Sequence, residues 1–266
     1  MAANAGSTEV ALRPRRSVLY MPGANTRALE KAKGLPADSI ILDLEDSVSP
    51  DAKDEARDNV CAAVTSGEYG NRELAIRVNS IETNWHADDV AAAAAAGPAA
   101  IVVPKVNTPG DVAAIEAALE AGGAPDHTKI WAMVETPQAM LDCANIAGAS
   151  ERLTVLVMGT NDLAKELHAQ HVPGRQPLVT GLSLCLLGAR AAGKVILDGV
   201  YNDIKDAEGF DAECLQGAQM GFDGKTLIHP SQLERANRIF APDEAEVASS
   251  REIIDAFEAA QREADA

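Results

Sequence analysis

Lys129-Ile130-Trp131-Ala132-Met133-Val134-Glu135-Thr136-Pro137 passes from a β-rich apolar run straight into a helix start. Thr136 followed by Pro137 reads as an N-cap with a first-turn proline. The stretch Val155-Leu156-Val157-Met158-Gly159-Thr160-Asn161-Asp162-Leu163 repeats the pattern, because its apolar run is too brief for a helix. Glu135 and Asp162 therefore both fall at β-to-α junctions, the edge that forms the catalytic face of a parallel α/β architecture. Two hard oxygen ligands at neighbouring strand ends, with no His or Cys beside them, suggest a bound Mg²⁺ rather than zinc. Either acid alone is equally well explained as a first-turn carboxylate favoured by the helix dipole, and their joint placement favours the metal.

Outward from these junctions, β-rich segments recur at Ser17 to Met21, Ser39 to Leu44, Leu74 to Val78, Ala99 to Val103, Lys129 to Val134, Leu153 to Met158, Lys194 to Val200 and Lys225 to Ile228. Helix starts lie between them at Ser49-Pro50, Thr108-Pro109 and Thr136-Pro137, and Ser231 with Glu234 is expected to form a capping box. The run Ala91 to Ala96, ending at Gly97, reads as a tightly packed helix. Eight strands alternating with helices predict a single closed (β/α)₈ TIM barrel, with an open doubly wound sheet as the alternative. The expected division is a tail over 1–14, a barrel over 15–241 and a helical extension over 242–266. That extension holds two more helical turns that pack outside the barrel or against another subunit.

A hydrophobic content of 47% over 266 residues is ample for a large core. The formal charge of −17 argues against broad contact with nucleic acid or an anionic membrane. Cys61, Cys143, Cys185 and Cys214 are scattered, without the spacing of a zinc knuckle or redox pair, and are expected to be reduced. No apolar stretch matches a membrane span and no signal peptide opens the chain, so a cytoplasmic location is expected by default.

Arg77, in Ile76-Arg77-Val78-Asn79, ends a strand, where its planar guanidinium suits a substrate carboxylate or, equally, a neighbouring strand's acid. In Leu42-Asp43-Leu44-Glu45-Asp46, Asp43 and Glu45 share a face and could hold water around the metal or Lys105, while Asp46 lies in the turn. Arg13, Arg15, Arg16, Arg27, Lys31 and Lys33 cluster near the start. A solvated basic face is the plain explanation, but Arg27 and Lys31 share one helix face, and amides of the Pro22-Gly23 turn could join them on a phosphate. His229 is a candidate substrate contact or a locally bonded side chain. Hydrolase-elbow, Walker and Rossmann signatures do not occur.

Six of these stretches in order, Arg16-Ser17-Val18-Leu19-Tyr20-Met21-Pro22-Gly23, Leu42 to Asp46, Ile76 to Asn79, Val134-Glu135-Thr136, Gly159 to Leu163 and Gly221 to Pro230, resemble the citrate lyase β-subunit family, which includes malyl-CoA lyases, within the HpcH/HpaI aldolase group. The resemblance runs from about Arg15 to Glu258. It implies a TIM barrel with Mg²⁺ that splits a carboxylated 3-hydroxyacyl-CoA, malyl-CoA-like or citryl-CoA-like, into acetyl-CoA and a 2-oxo acid. By matched position, Glu135 and Asp162 would hold the metal, Glu135 also facing substrate, and Arg77 would grip the oxo-acid carboxylate. Glu45 and Asp46 would support substrate and water beside the metal, and Arg27 and Lys31 would bind the CoA phosphates.

A homotrimer or hexamer is also implied. Many members continue into a lid that closes over a neighbouring subunit. The sequence given ends at Ala266 without it, so it is expected either to be truncated or to work with an open site whose base comes from the Asp43-Glu45-Asp46 cluster or a water. Asn161, where many citrate lyase subunits have Gly-Ala-Glu-Asp, points away from a citrate lyase complex. A carbon–carbon lyase is the leading expectation. A malyl-CoA thioesterase with the same metal site is its nearest rival, and a non-catalytic CoA-ester-binding subunit is the alternative from another class.

Overall fold

The computed structural model describes residues 13–264. Strands β1 (Ser17–Pro22), β2 (Ser39–Asp43), β3 (Glu73–Arg77), β4 (Ala100–Val103), β5 (Lys129–Val134), β6 (Leu153–Met158), β7 (Val195–Asp198) and β8 (Gly224–Leu227) pair in parallel in chain order. β8 closes on β1 with Val18 opposite Thr226, so the sheet is a barrel and not the open alternative. All eight expected strands are present with ends shifted by no more than a few residues. Of the expected tail, residues 1–12 lie outside the described residues.

Side chains alternate across each strand. One set, including Val18, Ile41, Ala75, Val102, Trp131, Val155 and Leu197, fills the barrel interior. The other, including Leu19, Ile40, Leu42, Ile76 and Ile101, packs against the helices. Continuing the inward set upward brings Tyr20, Asp43, Arg77 and Met133 to the top of the barrel. The register sets Asp43 directly beside Arg77.

Helix starts follow their caps. Thr108 accepts from the Asp111 N–H in a full capping box before the helix Pro109–Ala121, and Thr136 accepts from the Ala139 N–H before Pro137–Leu141. The helix His86–Ala96 ends at Gly97, whose φ of 65° is the left-handed C-cap expected of the alanine run. Ser49-Pro50 opens a 3₁₀ turn, Pro50–Ala52, that runs into the helix Lys53–Thr65 without a Ser49 side-chain cap. The Ser231–Glu234 box does not form. The box that does form pairs His229 with Gln232 around the 3₁₀ turn Pro230–Gln232, because the chain turns into that short segment one step before Ser231. The C-terminal extension is one continuous helix, Glu244–Ala264, rather than two turns, and its Ile253, Ile254 and Phe257 are exposed.

The N-terminal basic cluster divides by role. The Arg15 guanidinium donates two bonds of 2.7 Å to Glu73 at the start of β3, and Arg16 donates two of 2.8 Å to Asp38 before β2. Both pairs staple the strand starts, the end of the barrel opposite the mouth. Lys33 pairs with Glu30 and Glu68.

At the far end of the outward layer, Asp198 closes β7 fully buried between two cations. Arg175 Nη1 lies 2.6 Å from its Oδ1 and Lys225 Nζ 3.0 Å from its Oδ2. Lys225 also reaches Glu213 at 2.8 Å. Burial alone would favour the neutral amine, but Asp198 and Glu213 more than offset it and raise the Lys225 pKa. Removing one partner of such a group strands the others, so Lys225→Ala is expected to cost about 3–5 kcal/mol. Urea unfolding checks this, and an unchanged midpoint would mean that the cluster adapts without it.

Candidate active site

The strand ends at the C-terminal mouth enclose a cavity of ≈ 380 Å³ whose lining includes Tyr20, Arg77, Met133, Glu135, Asp162 and Ile228. Arg77 stands at its centre. Nε and Nη2 donate to Asp43 Oδ1 and Oδ2 at 2.6 and 2.8 Å, Nη1 lies 3.0 Å from Glu45 Oε2 and 3.4 Å from Asp46 Oδ2, and the guanidinium carbon sits 4.7 Å from the Tyr20 ring centroid. Burial would weaken Arg77 as a base, but the Asp43 charge and hydrogen bonds raise its pKa well above normal. Burial likewise works against the Asp43 carboxylate and is outweighed by Arg77, Ser47 and the Glu45 N–H, which lower its pKa.

Glu135 extends the inward set one step past β5. Its Oε1 accepts the Lys105 backbone N–H at 2.8 Å, and Lys105 adopts a left-handed φ of 54° to present it. The carboxylate lies against the backbone of Gly159, where any Cβ would overlap it, so only glycine admits this approach. Burial, then the Asp162 charge, push the Glu135 pKa up to about 7. Burial, then the neighbouring carboxylates of Asp46, Glu135 and Asp43, against Arg77, push Glu45 up to about 8. Two acids crowded at one strand-end corner, one of them buried, are the chemistry of a cation site. Among the described residues no group of three or more His, Cys, Asp or Glu converges to hold a metal. Two carboxylates suit Mg²⁺ nonetheless, since it commonly takes one or two and completes its shell with water and substrate oxygens.

Glu135 and Glu45 are both weaker acids in the folded state than in the unfolded chain, where Glu titrates near its usual 4.5. Folding therefore takes up protons above that pH. Stability of the cation-free protein is expected to fall as pH rises from about 4.5 through about 7 for Glu135 and about 8 for Glu45. Added Mg²⁺ should recover stability at the alkaline end, read as a rise in melting temperature at pH 8 that is absent at pH 5.

A family model described as HpcH/HpaI aldolase/citrate lyase matches residues 16–230. The chain belongs to this family. It is 53% identical over 94% of its length to the (3S)-malyl-CoA thioesterase of Cereibacter sphaeroides, covering 85% of that protein. It is 36% identical, over the same shares of each chain, to citrate lyase subunit beta of Escherichia coli. Among solved structures it resembles the citrate lyase beta subunit of Mycobacterium tuberculosis with oxaloacetate and magnesium (28% identity, 88% of this chain and all of the other, TM-score 0.74). It also resembles CitE from that organism with magnesium, acetoacetate and coenzyme A (29% identity, 94% and 89%, TM-score 0.76).

Within this HpcH/HpaI-family barrel, Arg77, Glu135, Asp162 and Asp46 converge on one mouth, with Glu45 paired to Arg77 beside them. Asp43 and Glu45 hold Arg77 and not Lys105, because the register puts Asp43 and Arg77 side by side while the Lys105 N–H is turned to Glu135. Asp46 lies in the turn with its side chain 75% exposed. The Arg77 edge expected for a carboxylate is taken by Asp43, so what it can offer a ligand is its Nη1 and Nη2 end. Arg27 and Lys31 stand exposed on the short helix Thr26–Ala32 and make no ion pair with described residues. The Gly23 N–H cannot join them, since it donates to Asp43 O, and a Cβ on Gly23 would come within 2.8 Å of that same oxygen. His229 is exposed and locally bonded, its Nδ1 2.7 Å from Ser231 Oγ. Among the described residues no helix is long and apolar enough to cross a membrane, and the four cysteines are free thiols.

Sequence reasoning passed over Lys53. Buried at the start of its helix, its Nζ donates to Leu44 O, Glu45 O and Asn79 Oδ1 at 2.7, 2.8 and 2.7 Å and lies 5.1 Å from the Trp85 ring centroid. It thereby pins the loop that carries Glu45 and Asp46. Burial lowers its pKa. The signal was legible: Lys53 falls on the stripe of Ala56 and Val60 that faces the core, at a helix start where the dipole disfavours a cation.

Proposed function

We propose that this chain is a Mg²⁺-dependent enzyme acting on (3S)-malyl-CoA or a close carboxylated 3-hydroxyacyl-CoA, and that it hydrolyses the thioester to free malate and CoA. The observation that carries this reading is the 53% identity over 94% of the chain to a relative named for that hydrolysis, with the acid pair Glu135 and Asp162 at the mouth. Magnesium and coenzyme A in solved relatives support the cofactor and the ester class. Carbon–carbon cleavage to acetyl-CoA and glyoxylate is the second reading, supported by the family description and the citrate lyase relatives.

In this proposal Glu135 and Asp162 hold the metal, and Arg77 positions the substrate carboxylate through the guanidinium end that Asp43 leaves open. Glu45 and Asp46 line the water side, and Glu45, raised to about 8, exchanges a proton there and serves as a base in its ionised form as pH rises through that value. When bound, the metal supplies Lewis-acid polarisation of substrate oxygens. Arg27 and Lys31 meet the CoA phosphates. Replacing both with Ala is expected to raise KM for the CoA ester about 10-fold with kcat unchanged, and the wild-type KM to rise with salt. Steady-state kinetics at two ionic strengths check both.

The deciding experiment incubates purified protein with (3S)-malyl-CoA, with Mg²⁺ and with chelator, and identifies products by mass spectrometry. Metal-dependent malate and CoA support the hydrolase, glyoxylate with acetyl-CoA supports the lyase, and an inert substrate removes both in favour of a binding subunit. The homotrimer or hexamer implied by the family belongs to the same proposal, and sedimentation equilibrium showing only monomer at micromolar concentration would remove it.

A further inference from the structure

Tyr20 stands half-buried at the floor of the mouth, its ring beneath Arg77. Among the described residues its hydroxyl has one hydrogen-bond partner, the Met133 sulfur at 3.9 Å, a weak acceptor at long range. Tyrosine hydroxyls placed in apolar surroundings normally find an oxygen or nitrogen. Two other lining hydroxyls are spent on the protein, Ser47 on Asp43 and Thr226 on the Asp198 carbonyl. Arg77 spends Nε and one hydrogen each of Nη1 and Nη2 on acids, and the hydrogens that remain are those proposed for the substrate carboxylate. Burial, opposed by Arg77 and reinforced by Asp43, Glu135 and Glu45, raises the phenol's pKa, so near neutral pH it stays protonated as a donor.

We propose that Tyr20 is a catalytic residue whose phenol donates a hydrogen bond to the thioester carbonyl oxygen as that oxygen becomes negatively charged. The inference rests on the CoA-ester reading of the site but not on which bond breaks. In hydrolysis, a water that gives a proton to a base bonds through its oxygen to the thioester carbon, the carbonyl π pair moves to oxygen, and that proton is the one the thiolate later takes. The pair returns as the carbon–sulfur bond breaks, and the departing thiolate takes a proton. In carbon–carbon cleavage, a base removes the 3-hydroxyl proton, the new carbonyl forms, and the carbon–carbon bonding pair passes into an enolate whose charge rests on that same oxygen, before the α-carbon is protonated. One donor stabilises both anions, and such donors act through charge that develops only on the way to the transition state.

Tyr20→Phe tests this cleanly, because it keeps the ring under Arg77 and deletes only the donor. With (3S)-malyl-CoA and Mg²⁺, kcat is expected to fall about 10²-fold with KM within a few-fold of wild type and the melting temperature unchanged. A second readout needs no turnover. In protein labelled at tyrosine Cζ with ¹³C, acetyl-CoA is expected to shift one of three resonances, the one that Tyr20→Phe removes.

An active wild type with an equally active Tyr20→Phe overturns the inference and leaves the proposed function standing. An inert wild type whose Tyr20 resonance still responds to acetyl-CoA overturns the function and leaves the hydrogen bond. Neither turnover nor a shift removes both.

Discussion

Glu135→Gln is expected to lower metal-dependent turnover at least about 10³-fold, the equivalent of some 4 kcal/mol of lost electrostatic stabilisation, while making the cation-free protein more stable at pH 8. The two effects have one cause. Glu135 is buried beside Asp162, with Gly159 packed against its carboxylate and the Lys105 N–H as its hydrogen-bond donor. Held there without a cation, its charge is a liability to the fold, as its raised pKa records. The amide keeps the shape and can still accept from Lys105, so packing survives while the charge that would hold the metal is gone. Calorimetric titration with Mg²⁺ should show the affinity lost, and thermal melts at pH 8 should show the midpoint raised. Glu166→Gln, on the exposed side of the neighbouring helix, is the control and should change neither. A Glu135→Gln protein that binds Mg²⁺ as tightly as wild type would remove Glu135 from the metal site.

Arg77→Ala should be as damaging to activity and, unlike the first substitution, damaging to the fold. Asp43 is almost fully buried and the guanidinium supplies two of its hydrogen bonds. Without Arg77 the carboxylate keeps Ser47 and two backbone amides but loses its counter-charge. The expected loss is about 3–5 kcal/mol in urea unfolding, because breaking a buried pair from one side leaves the desolvation cost of the other uncompensated. Arg77→Lys separates the roles. It restores a positive charge, but a single ammonium cannot match both Asp43 oxygens and still reach Glu45, so stability should recover in part while kcat stays about 10²-fold down. The pair Asp43→Asn, Arg77→Met should be less destabilised than Arg77→Ala, since neither partner is then left charged and alone. If all three unfold at the wild-type midpoint, the ion pair carries no structural weight.

Much of the fold was legible because it is written locally. Lys129 to Val134 and Leu153 to Met158 are too short and apolar for helices, Thr108-Pro109 and Thr136-Pro137 are caps, and Gly97 ends an alanine helix. Each of these depends on residues within one turn of one another. The Ser231 cap misread was also local: the box forms two residues earlier, with His229 accepting from the Ser231 N–H and Gln232 from the His229 N–H, because the chain leaves β8 straight into the 3₁₀ turn. Half of the candidate site was equally visible, because Glu135 and Asp162 stand at strand ends that any parallel sheet turns toward one face.

Other assignments required the closed barrel. The basic residues near the start look like one cluster, yet Arg15 and Arg16 run to Glu73 and Asp38 below the barrel while Arg27 and Lys31 stand exposed above it, without an ion pair among the described residues. Sequence proximity carries no information about which end of a strand a side chain leaves from. Lys53 sits on the core-facing stripe of its helix, but that it clamps the acid loop follows only from the tertiary contacts. Period, caps and the order of strands were determined by the sequence itself, since propensity and burial act over neighbouring residues. Which acid faces Arg77, which hydroxyl is left without an oxygen partner, and which carboxylates are pushed toward neutrality were decided only by tertiary structure. Those properties arise when strands far apart in the chain are brought into register, where desolvation and Coulomb energy depend on distance through space and not along the sequence.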